Sequence, residues 1–232
     1  MKTSAIISLL TCIVMMVSAQ QPIPCCAPTQ FVLHYEQVLA TQTADMPMAI
    51  TEETLDAAYD FVNALVGMDL TIRPLNQPET KARLVQNFTA GYQWIIQGAT
   101  CIKQSLAAVT PPARCVPEDA IFEGTFDVGL EKLKVHTWLI NATAPGPIKG
   151  TQRYTVADYM CTPFSSTFIG TESNTQPPTT FVNSGNYMNF SNKITDPDHW
   201  FKLPSSCNST ASEVPVTERM IKLSSARHMR FF

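Results

Sequence analysis

The sequence predicts an all-β fold with few helices. Three observations predict it: short segments in which apolar and polar residues alternate, turn-forming residues between those segments, and 17 Pro in a chain with only 15% charged residues. Hydrophobic residues make up 45% of the chain, which is enough to build a core and argues against a disordered protein. Many short strands without helical crossovers indicate an antiparallel sandwich or barrel.

The clearest strand covers residues 66–72. From Val66 to Ile72, apolar residues alternate with polar or small ones, and Pro74 ends the segment. Turn signals rich in Pro, Asn, Asp or Gly lie at residues 76–78, 110–112, 145–147, 176–178 and 196–198. Further strands are predicted at residues 31–39, 92–97, 121–128, 133–140, 152–159 and 179–190.

Helical signals are sparse. Residues 51–58 fit either a short helix or the lead into the following strand. A basic tail begins at about residue 212, and within it Val216, Met220 and Leu223 recur at helical spacing. A terminal helix packed on the sheet is favoured over a contact with a membrane or a partner.

The first 19 residues have the pattern of a signal peptide. Lys2 precedes a short apolar run, and small or tolerated residues at Val17 and Ala19 fit a cleavage site. We expect one domain over residues 20–232, with no transmembrane segment. The formal charge is −3, or −4 without Lys2, which offers no footprint for nucleic acid.

Six of the 7 Cys follow the signal peptide, and we expect three disulfides among them: Cys25, Cys26, Cys101, Cys115, Cys161 and Cys207. Their spacing does not fit a zinc site. Because bonding Cys25 to its neighbour Cys26 would strain the peptide, each should reach a different distant partner. The sequence alone leaves the pairing open.

The chain also contains four N-glycosylation sequons, which begin at Asn87, Asn141, Asn189 and Asn208. We expect at least two of them to be glycosylated.

No motif predicts catalysis, so no catalytic residue is assigned and an enzyme is not expected. The 4 His, at positions 34, 136, 199 and 228, do not have metal-ligand spacing. The acidic residues that merit attention as calcium ligands are Glu118, Asp119, Asp127, Asp196 and Asp198. None belongs to a complete calcium-binding loop, so solvated turn carboxylates are favoured while a composite calcium site stays open.

The segments around the cysteines resemble those of ependymin-related proteins across nearly the whole mature chain. The resemblance rests on order and spacing, because no single segment is specific. It does not extend past residue 214. The segments, in chain order, are Pro24-Cys25-Cys26-Ala27-Pro28 with Phe31, Ala58-Tyr59-Asp60 with residues 66–72, residues 91–96 with Cys101-Ile102-Lys103, residues 115–120 with 135–138, residues 154–156 with Cys161-Thr162-Pro163, and residues 194–200 with Pro204 and Cys207.

The resemblance implies two antiparallel sheets that form a sandwich or half-barrel with a deep apolar pocket, similar to bacterial lipoprotein carriers. It also implies a homodimer and two disulfides, Cys101 with Cys207 and the opening cysteine with Cys161. Here the opening cysteine is doubled, and Cys115 has no counterpart in some relatives, so we infer that the spare member of Cys25 and Cys26 bonds Cys115. Which of the two bonds Cys161 is left open.

The function expected from this resemblance is a secreted, non-enzymatic glycoprotein that binds a hydrophobic or amphipathic, lipid-like ligand between its sheets, with calcium binding. Lysosomal delivery is also compatible with it. The alternative is a calcium-dependent adhesive or structural component of an extracellular matrix. The residues predicted to line the pocket are Tyr92, Trp94, Ile96, Phe126, Val135 and Leu139.

Overall fold

The computed structural model describes residues 21–106, 111–130, 132–142, 148–173, 175–209 and 212–213. The predicted signal peptide and tail helix lie outside these residues. The strands are β1 (Gln30–Thr43), β2 (Ala49–Asp60), β3 (Leu65–Pro74), β4 (Thr80–Asn87), β5 (Tyr92–Gln97), β6 (Thr100–Ser105), β7 (Ile121–Val128), β8 (Leu133–Ala142), β9 (Ile148–Ala157), β10 (Thr162–Glu172), β11 (Thr179–Ser191) and β12 (Ser212–Glu213). A 3₁₀ turn at Tyr159–Cys161 precedes β10, and two short helices, α1 (Pro197–Phe201) and α2 (Ser206–Ser209), follow β11.

In the described part of the chain, the strands form one continuous sheet in the order β12-β6-β5-β4-β3-β2-β1-β11-β10-β9-β8-β7. Strands β1–β6 form one antiparallel meander and β7–β11 form a second. Antiparallel pairing of β1 with β11 joins the two meanders, and β12 adds to β6 in parallel. The all-β antiparallel prediction is confirmed, and the two expected sheets occur as two halves of one sheet.

The individual strand predictions are confirmed, with a few omissions. Residues 92–97 and 121–128 are strands with the predicted bounds, and Pro74 ends β3. Residues 51–58 belong to strand β2 rather than to a helix. Strands β4, β6 and β10 were not predicted, because they are rich in Lys, Arg, Gln, Ser or Thr and show weak apolar alternation. No helix in the described residues is long and apolar enough to cross a membrane.

One face of the sheet, which we call the inner face, carries the main core. In β3 the inner-face residues from Val66 to Ile72 are buried, whereas Asp69 and Thr71 point to the opposite, outer face. Buried side chains from both meanders, such as Leu84 of β4 and Trp138 of β8, belong to one cluster. The sheet therefore curves around its inner face as a half-barrel.

Aromatic rings form much of the inner core. The ring centroids of Phe31 and Tyr59 lie 5.0 Å apart, and those of Phe31 and Phe190 lie 5.3 Å apart. Tyr35 stacks on Tyr187 across the junction of the meanders, with centroids 4.3 Å apart. Burial of each large side chain contributes roughly 1.5–3 kcal/mol, so these rings are a major source of stability.

The outer face of the first meander has an apolar layer of its own. Val85 and Ile96 are buried there with the disulfide between Cys101 and Cys207, and Leu203 packs against them. Leu203 and Cys207 belong to residues 197–209, a segment that contains α1 and α2. This segment therefore covers the outer face of β3–β6. Its approach is close, because a Cβ atom at Gly67 would lie 2.5 Å from the carbonyl oxygen of Trp200.

Substitution Gly67→Ala should displace residues 197–209 from the outer face, because the added methyl group has no room beside the Trp200 backbone. We expect a loss of about 1–3 kcal/mol in the free energy of unfolding, measured by urea denaturation. Thr71→Ala, four residues along the same face of β3, is the control and should cost less. Equal stability of the Gly67 variant and the wild type would contradict the close packing.

Three disulfides bond the six cysteines of the described residues. Cys25 bonds Cys161, Cys26 bonds Cys115, and the third joins Cys101 of β6 to Cys207 of α2. Two of the pairs are those implied by the family resemblance, and the third is the one inferred for the spare opening cysteine. Cys25 is the neighbour that reaches Cys161. The adjacent cysteines thus tie the N-terminal segment to two distant points of the chain, one before β7 and one before β10.

Candidate ligand-binding site

A row of polar side chains crosses the inner face at the junction of the two meanders. Strand register sets Glu53 of β2 opposite Gln37 of β1, Gln37 opposite Gly185 of β11, and Gly185 opposite Ser166 of β10. Asn183 of β11 lies on the same face, one inner-face position further along. Glu53 is only 2% exposed, and Gln37 and Asn183 are each 4% exposed. The row is therefore a polar layer inside an otherwise apolar core.

Hydrogen bonds satisfy this layer only in part. The Gln37 Nε2 donates to Glu53 Oε2, and the hydroxyls of Tyr35 and Ser166 lie 3.0 Å apart. The Tyr187 hydroxyl donates to the same Ser166 oxygen at 3.3 Å. In contrast, Gln37 Oε1 and Asn183 Oδ1 are buried and have no hydrogen-bond partner. Each such atom costs about 1–3 kcal/mol of desolvation, so a layer of this kind needs a purpose.

The inner-face tyrosines are held neutral. Burial raises the pKa of Tyr35 to about 12, and the charge of Glu53 contributes in the same direction. Burial also raises the pKa of Tyr59, Tyr154 and Tyr187 well above the ordinary value, with smaller contributions from neighbouring tyrosines. These hydroxyls therefore stay protonated at physiological pH, and those of Tyr35 and Tyr187 bond the Ser166 hydroxyl.

Three residues of the sequence-predicted pocket lie on the outer face of β5. Tyr92, Trp94 and Ile96 pair with outer-face positions of β4 and β6, and Trp94 and Ile96 pack in the layer beneath residues 197–209. The Nζ of Lys103 lies 3.7 Å from the centroid of the Tyr92 ring. These side chains thus face away from the main core.

The other three residues of that set lie on the outer face at the opposite end of the sheet. Val135 of β8 pairs with Phe126 of β7, and Leu139 pairs with Ile121. Phe126 is 55% exposed, whereas Val135 is buried. Seven strands separate β5 from β8, so the sheet does not bring the two groups together. Their contact with a ligand stays a prediction.

Sequence reasoning missed the polar layer on the inner face. A signal for it was present, because Gln37 continues the series of inner-face positions Phe31, Leu33 and Tyr35, and Glu53 does the same in β2. A polar residue in phase with buried positions marks either an edge of the core or a site. In the structure both side chains are buried, so they do not lie at an edge of the core.

A separate groove of about 260 Å³ lies on the outer face beside α1. His34 Nδ1 lies 2.8 Å from Asp56 Oδ1, and His199 Nε2 lies 2.9 Å from Asp69 Oδ2. A second groove of about 340 Å³ shares Asp56 and Asp69 with it. Among the described residues, no group of three His, Cys, Asp or Glu side chains is arranged to hold a metal ion.

Two of the acidic residues considered as calcium ligands serve α1. Asp196 Oδ1 accepts the backbone N–H of His199 at 2.9 Å, and the Lys202 Nζ donates to Asp198 Oδ2 at 3.0 Å. These contacts cap the helix and pair its last turn. Calcium binding stays an expectation from the family resemblance.

The sequons differ in exposure. Asn141 and Asn189 are exposed, whereas Asn87 is half-buried and its Oδ1 accepts the backbone N–H of Ala90 at 2.8 Å. The side chain of Asn208 lies outside the described part of the chain. The two exposed positions are therefore the better glycan acceptors of the three that the structure describes.

His34 should titrate above the ordinary histidine value. Burial opposes its protonation, but hydrogen bonds to Asp56 and Glu36 outweigh burial and raise the pKa of His34 above 6.5. The raised pKa stabilises the fold fully below about pH 6.5, and this contribution is lost as pH rises through the folded-state pKa. In an NMR titration, Asp56→Asn should lower the pKa of His34, whereas Asp69→Asn should leave it unchanged. A His34 pKa at or below 6.5 in the wild type would refute this.

Comparisons with known proteins agree with the family resemblance. A model of the ependymin family matches residues 76–207, more than half of the chain. The chain is 27% identical over 173 residues to the development-specific protein LVN1.2 of Lytechinus variegatus, covering 71% of this chain and 90% of that protein. Among solved structures it is similar to a LolA superfamily protein from Nitrosomonas europaea, with 10% identity and a TM-score of 0.34 over 75% of this chain and 91% of the other. A structural likeness at that level carries no conclusion about function.

Proposed function

This chain belongs to the ependymin family, and on that premise we propose that it is a secreted, non-enzymatic glycoprotein that binds a hydrophobic or amphipathic ligand on the inner face of its half-barrel. Three disulfides support an oxidising compartment outside the cytosol. The paired cysteines and the neutral inner tyrosines support a binding role rather than a nucleophilic one.

The observation that carries this proposal is the composition of the inner face. Stacked rings and aliphatic side chains cover it from β5 to β8, and one buried polar layer crosses it at the junction of the meanders. An apolar surface with a few convergent polar groups is the usual composition of a small-molecule site. Because the inner side chains pack on one another here, a ligand would enter by displacing some of these contacts.

Organic extraction tests the proposal directly. Protein purified from its native secretion without detergent should release a lipid-like compound in near-stoichiometric amount, identified by mass spectrometry. The variant Phe31→Leu removes an inner-face ring and should reduce the bound amount several-fold, because apolar contact with the ligand is lost. Circular dichroism would verify that the variant is folded.

The matched control for Phe31→Leu is Phe126→Leu, which makes the same change on the outer face. It should leave the bound amount unchanged. Loss of ligand in the Phe126 variant alone would instead support the outer-face residues predicted from the sequence. No compound enriched above a blank extract of the same secretion would refute ligand binding.

A second candidate function, the adhesive or matrix role, is favoured by one specific observation. Apolar side chains are exposed on the outer face at two places: Ile121 and Phe126 of β7, and a group formed by Val38, Ile169 and Val182. Exposed apolar side chains of this kind can mark association surfaces. A homodimer or a calcium-dependent assembly would cover them.

Sedimentation velocity distinguishes this candidate from a carrier. If association is the function, addition of 2 mM calcium should shift the glycosylated protein to larger species, and Phe126→Ser should abolish the shift, while Glu52→Gln, an exposed charge change elsewhere, should not. The same sedimentation coefficient with and without calcium, before and after deglycosylation, would exclude the calcium-dependent assembly.

A further inference from the structure

We propose that Glu53, Gln37 and Asn183 form a subsite on the inner face that binds a primary ammonium group at the head of an amphipathic ligand. This inference rests on the proposed function and specifies the chemistry of the ligand's polar end. It assigns a purpose to the polar layer, which the apolar part of the site leaves unexplained.

Strand pairing places the three side chains together. Glu53 and Gln37 are directly opposite each other on β2 and β1, and Gln37 is opposite Gly185 of β11. Asn183 precedes Gly185 by one inner-face position and is opposite Leu39, so it is a diagonal neighbour of Gln37. Side chains at such positions on one face lie within reach of a common small group.

The side-chain amides of Gln37 and Asn183 each have an oxygen that accepts no hydrogen bond. The Gln37 Nε2 is used by Glu53, which leaves its Oε1 for another group, and Asn183 Oδ1 is also unpartnered. The same sheet satisfies buried amides elsewhere. On β4, β5 and β6, Gln86 Nε2 donates to Gln93 Oε1 at 3.0 Å and Gln93 Nε2 donates to Gln104 Oε1 at 2.8 Å. The amide oxygens of Gln37 and Asn183 differ from these linked amides, and Trp138 Nε1 of β8 is another buried polar atom without a hydrogen-bond partner.

The negative charge of Glu53 favours a positively charged group at the polar end of the ligand. Glu53 and Asp60 are the buried carboxylates, and none of the buried side chains in the described ranges belongs to Lys, Arg or His. Asp60 is served by the backbone N–H groups of Val62 and Asn63 at 3.0 Å each. Glu53 accepts from Gln37 Nε2, and the amide oxygens of Gln37 and Asn183 belong to the same polar layer. An ammonium group supplies three donors and a positive charge, which matches a carboxylate beside two amide oxygens.

Apolar surface adjoins this subsite, as an amphipathic ligand requires. Gly185 lacks a side chain, and the Tyr35 ring occupies the space beside it, since a Cβ at Gly185 would lie 2.6 Å from the Tyr35 hydroxyl oxygen. The Tyr35 ring then stacks on Tyr187 and continues the apolar face toward Leu55. A ligand with its head at Gln37 would place its chain along these rings.

Calorimetric titration with three ten-carbon probes tests the inference. Decylamine, decanol and decanoate are titrated at pH 7 into the disulfide-bonded, detergent-free protein, each below its micelle-forming concentration. Decylamine should bind at least about tenfold more tightly than decanol, because hydrogen bonds between charged groups are the stronger ones. Decanoate should bind more weakly than decanol, since its carboxylate would meet Glu53.

Variants assign the preference to this subsite. Glu53→Gln should reduce the ratio of decylamine to decanol affinity to within about threefold of unity, because the charge that pairs with the ammonium group is removed. Glu52→Gln is the matched control, because it removes the same charge from the adjacent, exposed position on the outer face. It should retain the wild-type ratio. Asn183→Leu should lower the decylamine affinity while maintaining or raising the melting temperature, since a buried unpaired oxygen is removed.

The outcomes separate the inference from the proposed function. Binding of decanol with an unaltered ratio in Glu53→Gln, or equal affinities for all three probes in the wild type, would overturn the ammonium subsite and leave ligand binding intact. An Asn183→Leu variant that loses stability but keeps the wild-type ratio would show that this amide has a structural role, and would also overturn the subsite. No binding of any probe would refute both.

Discussion

The pairing of β1 with β11 is the constraint on which the rest of the structure depends. It joins residues more than 130 positions apart, and its register from Val32–Ser191 to Thr43–Thr179 turns two independent meanders into one sheet with one inner face. Neither meander alone could bury that face. The stacked rings of Tyr35 and Tyr187 and the polar layer around Gln37 all lie on this seam. A buried polar layer at this position lowers the stability of the fold. Local destabilisation of this kind is typical of a functional site.

Local sequence patterns were enough to predict most of the strands. They were not enough to predict which side of each strand faces the inner core. Alternation from Val66 to Ile72 and the terminal Pro74 define β3, because period-2 burial is a property of a single strand. Which face becomes the inner one depends on distant pairing. Trp94 and Ile96 are predicted to line a pocket because they are large and apolar, and in the structure they pack in the layer beneath residues 197–209 on the outer face. Two apolar layers on opposite faces of β5 cannot be distinguished by periodicity.

Cysteine pairing shows a second limit of prediction from the sequence alone. Arithmetic on six cysteines leaves the partners open, and only the family resemblance reduced the choices. The structure adds that Cys25 reaches Cys161 at the 3₁₀ turn before β10 while Cys26 reaches Cys115 ahead of β7. The N-terminal segment is thereby fastened to the second meander, on the far side of the β1–β11 seam. Disulfides and strand pairing thus close the same half-barrel by independent means.

The central claim is that the inner face of the half-barrel holds the ligand. A crystal structure of the protein purified from its native secretion, without detergent, tests it most directly. The account predicts continuous electron density for an apolar chain among Phe31, Tyr35 and Tyr187, with its polar end within hydrogen-bond distance of Gln37 Oε1. Density for a chain against Trp94 or Phe126 on the outer face, or an inner face closed and free of any bound compound, would contradict it.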